Sequence, residues 1–294
     1  MRIARLLPVA LPIVVLPLLL GQGCPPESGV PNGDPGMSAG DLTEAEKAAV
    51  NAAVNAPGAM AQATGTAQHA TDPQGGSEQV LPTDICLGAC PEVCKSGSLL
   101  DGEVDLSIDF TEQGCTAWVD PEDGTEYVCS GSAIGSFSQS AHSIELTFND
   151  ICCNQEALDG SASLIYDLSV QAVEFTGDWD LTWRPGDEVI GTTGAGTGGY
   201  DFVEDVTSIP AFAGTVSDRT IPEDPLEWSI EMTDILVSYL TYWSYLPYSS
   251  ELALTGEDIR SLMLRFDENS PTTGEIQVSI GGGPYFAVNL FELL

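Results

Sequence analysis

The chain has 294 residues, with 44 acidic side chains against eight Lys and Arg, for a net charge of −36. That imbalance leaves no basic stripe to follow a phosphate backbone, which excludes nucleic acid and disfavours anionic lipid headgroups; cations and basic surfaces remain as partners. At 43% hydrophobic the chain is no disordered polyanion, and it is long enough to bury a sizeable core.

Residues 1–23 read as an export signal. Arg2 and Arg5 form a positive start, Leu6 to Leu20 an uncharged apolar run, and Gly21, Gln22 and Gly23 lead into Cys24. The run is broken by Pro8, Pro12 and Pro17 and is shorter than the roughly 20 residues a spanning helix needs. The junction resembles the lipobox of bacterial lipoproteins. That resemblance implies that Cys24 is lipidated and becomes the new N-terminus, so that the partner is a membrane reached through acyl chains. With Pro25 rather than Asp after the cysteine, it implies the outer membrane or cell surface of the bacterial envelope. The alternative is an ordinary secretory leader and a periplasmic or secreted protein. Either way the chain is exported, and the exported part keeps all 44 acids but only six basic residues, a net charge of −38.

Residues 24–40 are rich in Pro and Gly without apolar periodicity, the composition of a tether. Residues 41–83 carry one short helix and a low-complexity linker. Thr43 and Glu46 form a capping box before an alanine-rich run, whose modest apolar face (Ala49, Val50, Ala53, Val54) predicts weak or peripheral docking.

From residue 84 to 294 the apolar period becomes two: Val104, Leu106, Ile108 and Phe110 alternate with polar residues, and so do Ile144, Leu146 and Phe148. Turn chemistry separates these runs at 121–124, 184–187, 191–199 and 270–274, and no long helices alternate with them. The fold class expected is mainly β, an antiparallel β-sandwich or open β-barrel with one short N-terminal helix. The segment from Ile235 to Tyr248 fits either a strand apolar on both faces or a helix ending at Pro247, and its aromatic, β-branched composition favours the strand.

Beyond Cys24, seven cysteines (Cys86, Cys90, Cys94, Cys115, Cys129, Cys152 and Cys153) crowd the first half of this domain. In an exported protein they read as disulfide candidates. Cys115 and Cys129 flank the 121–124 turn symmetrically and form the expected pair. Cys152 and Cys153 point to opposite sides of a strand and are expected to use different partners among Cys86, Cys90 and Cys94, leaving one thiol over. A metal or iron–sulfur site at Cys86, Cys90 and Cys94 matches no usual ligand spacing.

Catalytic signals are weak. Only His69 and His142 are available as imidazole bases, no G-x-S-x-G elbow occurs, and His142 reads as an exposed strand-end residue. Gly194, Gly196 and Gly199 match a dinucleotide fingerprint without its strand-and-helix context and read as a flexible loop. Asp120, Glu122, Asp123 and Glu126 surround a turn. A solvated hairpin tip is the simpler reading and a calcium site the alternative, although the order is not that of an EF-hand loop. No other cofactor is indicated. Glu174, Asp178, Asp180 and Glu231 lie near Trp179, Trp183 and Trp228, as a glycan site would need, but such aromatics are more often core. The sequence therefore predicts an exported, lipid-anchored envelope protein in a non-catalytic structural or binding role, with an envelope protein as partner. The alternative is a carbohydrate-binding module or glycan-active enzyme that uses carboxylates and exposed aromatics.

Overall fold

The computed structural model describes residues 38–71, 85–97, 102–111, 114–119, 126–153, 156–169, 171–201, 203–204, 206–222, 225–238, 245–290 and 293. Among them the protein is one long helix, two single-turn helical segments and one antiparallel sheet. A 3-10 turn (Ala39–Asp41) leads into α1 (Glu44–Thr71). Strands follow as β1 (Ile85–Leu87), β2 (Glu92–Ser96), β3 (Val104–Asp109), β4 (Cys115–Val119), β5 (Glu126–Ser138), β6 (Ser143–Cys153), β7 (Glu156–Leu168) and β8 (Ala172–Pro185). Then come β9 (Ile190–Asp201), β10 (Val206–Asp218), β11 (Leu226–Val237), β12 (Ser249–Thr255), β13 (Leu262–Phe266), the single-turn α2 (Ser270–Thr273), β14 (Glu275–Ile280) and β15 (Phe286–Asn289). Each strand pairs with the one before it in the chain, except around β4. There β3 and β4 share one edge of β5 end to end, β4 along residues 126–129 and β3 along 132–137. The expected mainly β, open antiparallel architecture is what the chain forms.

The alternation that predicts the strands also sorts their faces. On β8, Val173, Phe175, Trp179, Leu181 and Trp183 are buried, while Glu174, Thr176, Asp178 and Asp180 face out. The sheet's inner face packs on α1, which touches strands from β3 to β12. The outward positions of β8 are thus polar, the reverse of a lipid-facing barrel wall, which must be apolar.

The helix departs most from expectation. It is neither short nor peripheral: it runs 28 residues, and 19 of them are buried, so the sheet encloses it on most sides. Ala49, Val50, Ala53 and Val54 are 0–5% exposed, and the low-complexity residues beyond Ala56 continue the same buried helix. Side-chain size explains this. The sheet contributes most of the bulk through Trp179, Trp183, Phe175 and Phe212, and the buried part of the helix is mostly alanine and threonine, with Met60 its one large apolar side chain, so the two surfaces approach closely. Tertiary packing sustains the helix through Pro57, where one backbone donor is missing.

The glycine run seats it. Residues 191–199 are not a loop; they lie within β9, with Gly194, Gly196 and Gly198 on the inner face opposite Trp179, Gly177 and Phe175 of β8. A Cβ at Gly198 would stand 2.8 Å from Thr64 Oγ1 of α1, so only a residue without a side chain lets the helix lie there.

The capping box forms as expected. Glu46 N–H donates to Thr43 Oγ1 at 3.2 Å, and Thr43 N–H donates to Glu46 Oε2 at 2.9 Å. Glu46 is only 1% exposed and also accepts two hydrogen bonds from the Arg260 guanidinium, at 2.7 and 2.6 Å. These bonds hold its pKa down at about 2 and tie the start of α1 to the β12–β13 connection.

The cysteine pairing is corrected by the topology. Cys115 and Cys129 do stand opposite each other on β4 and β5, yet each bonds elsewhere. The bridges are Cys86–Cys94, Cys90–Cys115 and Cys129–Cys153. Cys153 therefore pairs with Cys129 rather than with the first cysteine group, because β6 lies along the other side of β5. Cys152 keeps a free thiol. With Cys90 tied to Cys115, the three-sulfur arrangement of Cys86, Cys90 and Cys94 does not exist. Three disulfides fit a chain that matures outside the reducing cytoplasm.

Candidate binding surfaces on the outer sheet face

Because α1 fills the interior, the described surface offers its concavities outside. The larger, about 810 Å³, crosses β3 and β5–β9. Its acids come from the pleat. Asp105 stands opposite Ser136, Ser136 opposite Glu145, Glu145 opposite Ser163, and Ser163 opposite Asp178. Acid and hydroxyl alternate along this row, so successive carboxylates are two strands apart, roughly 10 Å. That is about one Debye length at moderate salt, and three like charges are tolerated in one row. Glu103 and Asp180 line the same concavity, and Thr193 Oγ1 donates to Asp180 at 3.0 Å. None of the ion pairs among the described residues involves these five acids, so the surface presents acceptors to a cation or a basic chain.

The smaller concavity, about 600 Å³, lies over β11–β13 and includes Glu231, Asp234, Glu251 and Arg265. Arg265 donates to Glu251 at 2.9 Å and stacks over the Tyr285 ring at 4.4 Å.

The sequence-predicted site residues scatter. Asp178 and Asp180 join the larger concavity, whereas Glu231 lies in the smaller one, with β9 and β10 between. Trp179, Trp183 and Trp228 are each 1% exposed, so they are core and offer no sugar-stacking face. Asp120, Glu122 and Asp123 lie outside the described residues. Glu126 opens β5 as an exposed residue and accepts from Thr116 Oγ1 at 3.1 Å. Cys24 also lies outside the described residues. His142 sits in the β5–β6 turn with φ of 51°, stacked on Tyr166, and His69 meets Phe110 edge-on near the end of α1. The segment 235–248 divides. Ile235–Val237 closes β11, residues 239–244 fall outside the described set, and Tyr245 packs edge-on against Trp183.

Sequence reasoning missed Glu103, Asp105 and Glu145. Their signal was present as outward positions in alternating strands, but which strands lie side by side is set by the meander and its bulges. No protein-family model matches the chain, and comparison with curated proteins and with solved structures returned no match.

Proposed function

We propose that this is an exported, lipid-anchored protein of the bacterial cell envelope with a non-catalytic binding or structural role, displaying its outer sheet face to cationic or basic partners. The observation that carries the reading is the occupied interior: the space an open barrel could give to a ligand holds α1, so recognition falls to the acidic outer face. The leader ending at Cys24 and the three disulfides support the location. Growth with an alkyne-tagged fatty acid tests it. The wild type should carry the tag and sediment with membranes, and Cys24→Ser should lose both properties; an untagged, freely soluble wild type overturns the anchor.

A glycan-binding reading has one supporting feature, the Tyr285 ring under Arg265, which with Glu251 lines the smaller concavity. It requires a glycan whose binding is lost in Tyr285→Ala, measured by calorimetry, and loses its support if no glycan depends on that ring.

A further inference from the structure

The three disulfides are not equivalent. Cys129 and Cys153 are 2% and 4% exposed, and Cys90 and Cys115 pack half-buried against the core. Cys86–Cys94 instead joins the three-residue edge strand β1 to β2, and Cys86 is exposed. The two residues are direct partners across the ladder. On β2, Val93 packs toward the core and Lys95 lies over the Phe137 ring, so Glu92 and Cys94 share the opposite face. There Cys86 Sγ, Cys94 Sγ and a Glu92 carboxylate oxygen all lie within 4.8 Å of one another. Asp109 stands opposite Glu92 on β3, adding a second negative charge next to the group.

We infer that Cys86, Cys94 and Glu92 form a redox-gated site for a thiophilic divalent cation such as Zn²⁺ or Cd²⁺, closed while the disulfide exists and opened by an exported dithiol. This is independent of the lipid anchor and of any partner at the larger concavity. In the opening step the dithiol supplies two electrons and two protons. The Sγ–Sγ bond breaks, two thiols form, and the reductant leaves as a disulfide. When the cation binds, both thiols release their protons to solvent, and two thiolates and one carboxylate fill three positions of a tetrahedron with water at the fourth. Tetrahedral zinc holds its sulfurs roughly 3.8 Å apart, a spacing that directly opposed residues of an antiparallel pair reach by side-chain rotation. Thiolate ligands favour zinc and cadmium over calcium and magnesium, so the selectivity differs from that of the carboxylate surface.

The test uses the full exported chain carrying Cys24→Ser and Cys152→Ser, so that the only cysteines left are the six in disulfides. Graded reduction with dithiothreitol, followed by alkylation and peptide mass spectrometry, should modify Cys86 and Cys94 before the other four bonded cysteines. The partly reduced protein should take up one Cd²⁺ per chain, with a thiolate-to-cadmium absorption band, while the oxidised protein shows none. Glu92→Gln keeps every cysteine, and so the covalent framework, and should weaken Cd²⁺ binding tenfold or more. Earlier opening of Cys90–Cys115 or Cys129–Cys153 overturns the proposal. So do absence of the band after reduction, unchanged affinity in Glu92→Gln, and persistence of the band in Cys86→Ser/Cys94→Ser.

Discussion

The strands before β7 and those from β7 onward are held against the same helix by different means. All three disulfides lie in the first group, where β1, β2 and β4 are three to five residues long and β2 is nowhere fully buried. The second group has no cysteine; its strands β7–β11 run 12 to 14 residues and carry Trp179, Trp183, Trp228, Phe175 and Phe212 into the core. Short edge strands cannot bury enough apolar surface to offset their ordering entropy, and covalent links restrict the unfolded chain instead. Where long strands meet a buried helix, apolar burial suffices.

The strongest challenge to this contrast is Trp179→Ala. Fully buried opposite Gly194, it should cost about 3–5 kcal/mol in urea unfolding, with or without the disulfides. A loss below about 1 kcal/mol would show that the second group does not depend on its aromatic core.

Next is Cys129→Ala/Cys153→Ala. Its sequence separation of 24 predicts a loss of roughly 3.5 kcal/mol, against roughly 2.5 kcal/mol for Cys86→Ala/Cys94→Ala with a separation of eight. Equilibrium unfolding of the two double variants would sharpen the comparison by showing whether loop length or burial sets the contribution.

Glu156 opens β7 at the border between the groups, and burial pushes its pKa up to about 7. The folded state therefore holds a proton that the unfolded chain gives up near pH 4.5, so stability falls as pH rises from about 4.5 to 7 and the penalty is constant above. Glu156→Gln should be level with wild type at pH 4 and more stable by about 2 kcal/mol at pH 8, read from melting curves across that range. A pH-independent difference would remove the burial argument.

The smallest effect concerns the α1 latch. The Glu46 pKa lies below its ordinary value, so its contribution is fully present above about pH 4.5 and fades as pH falls toward 2. Glu46→Gln should lose about 1–2 kcal/mol at pH 7, a modest amount because Arg260 is half exposed, and the gap should close in acid.

The strands were legible because alternation is a local signal: Val104 to Phe110 and Ile144 to Phe148 declare their buried faces without reference to any partner. The candidate surface was only half legible. Asp178 and Asp180 stood out beside tryptophans, but the sequence could not say that Glu145 would join them across one intervening strand and Asp105 across three. The cysteines were recognisable as a group and misassigned as pairs, since proximity across a hairpin does not decide among several sulfurs that the meander brings together.

Sequence alone determined the acidic excess, the core pleats and the α1 cap at Thr43 and Glu46, because each depends on residue chemistry at short range. Tertiary structure decided that an alanine-rich helix lies in the interior, that a glycine run is a strand, and which cysteines bond. A small side chain carries no apolar signal of its own; its value lies in what it lets approach, and here that is Trp179, Phe175 and the neighbouring backbone.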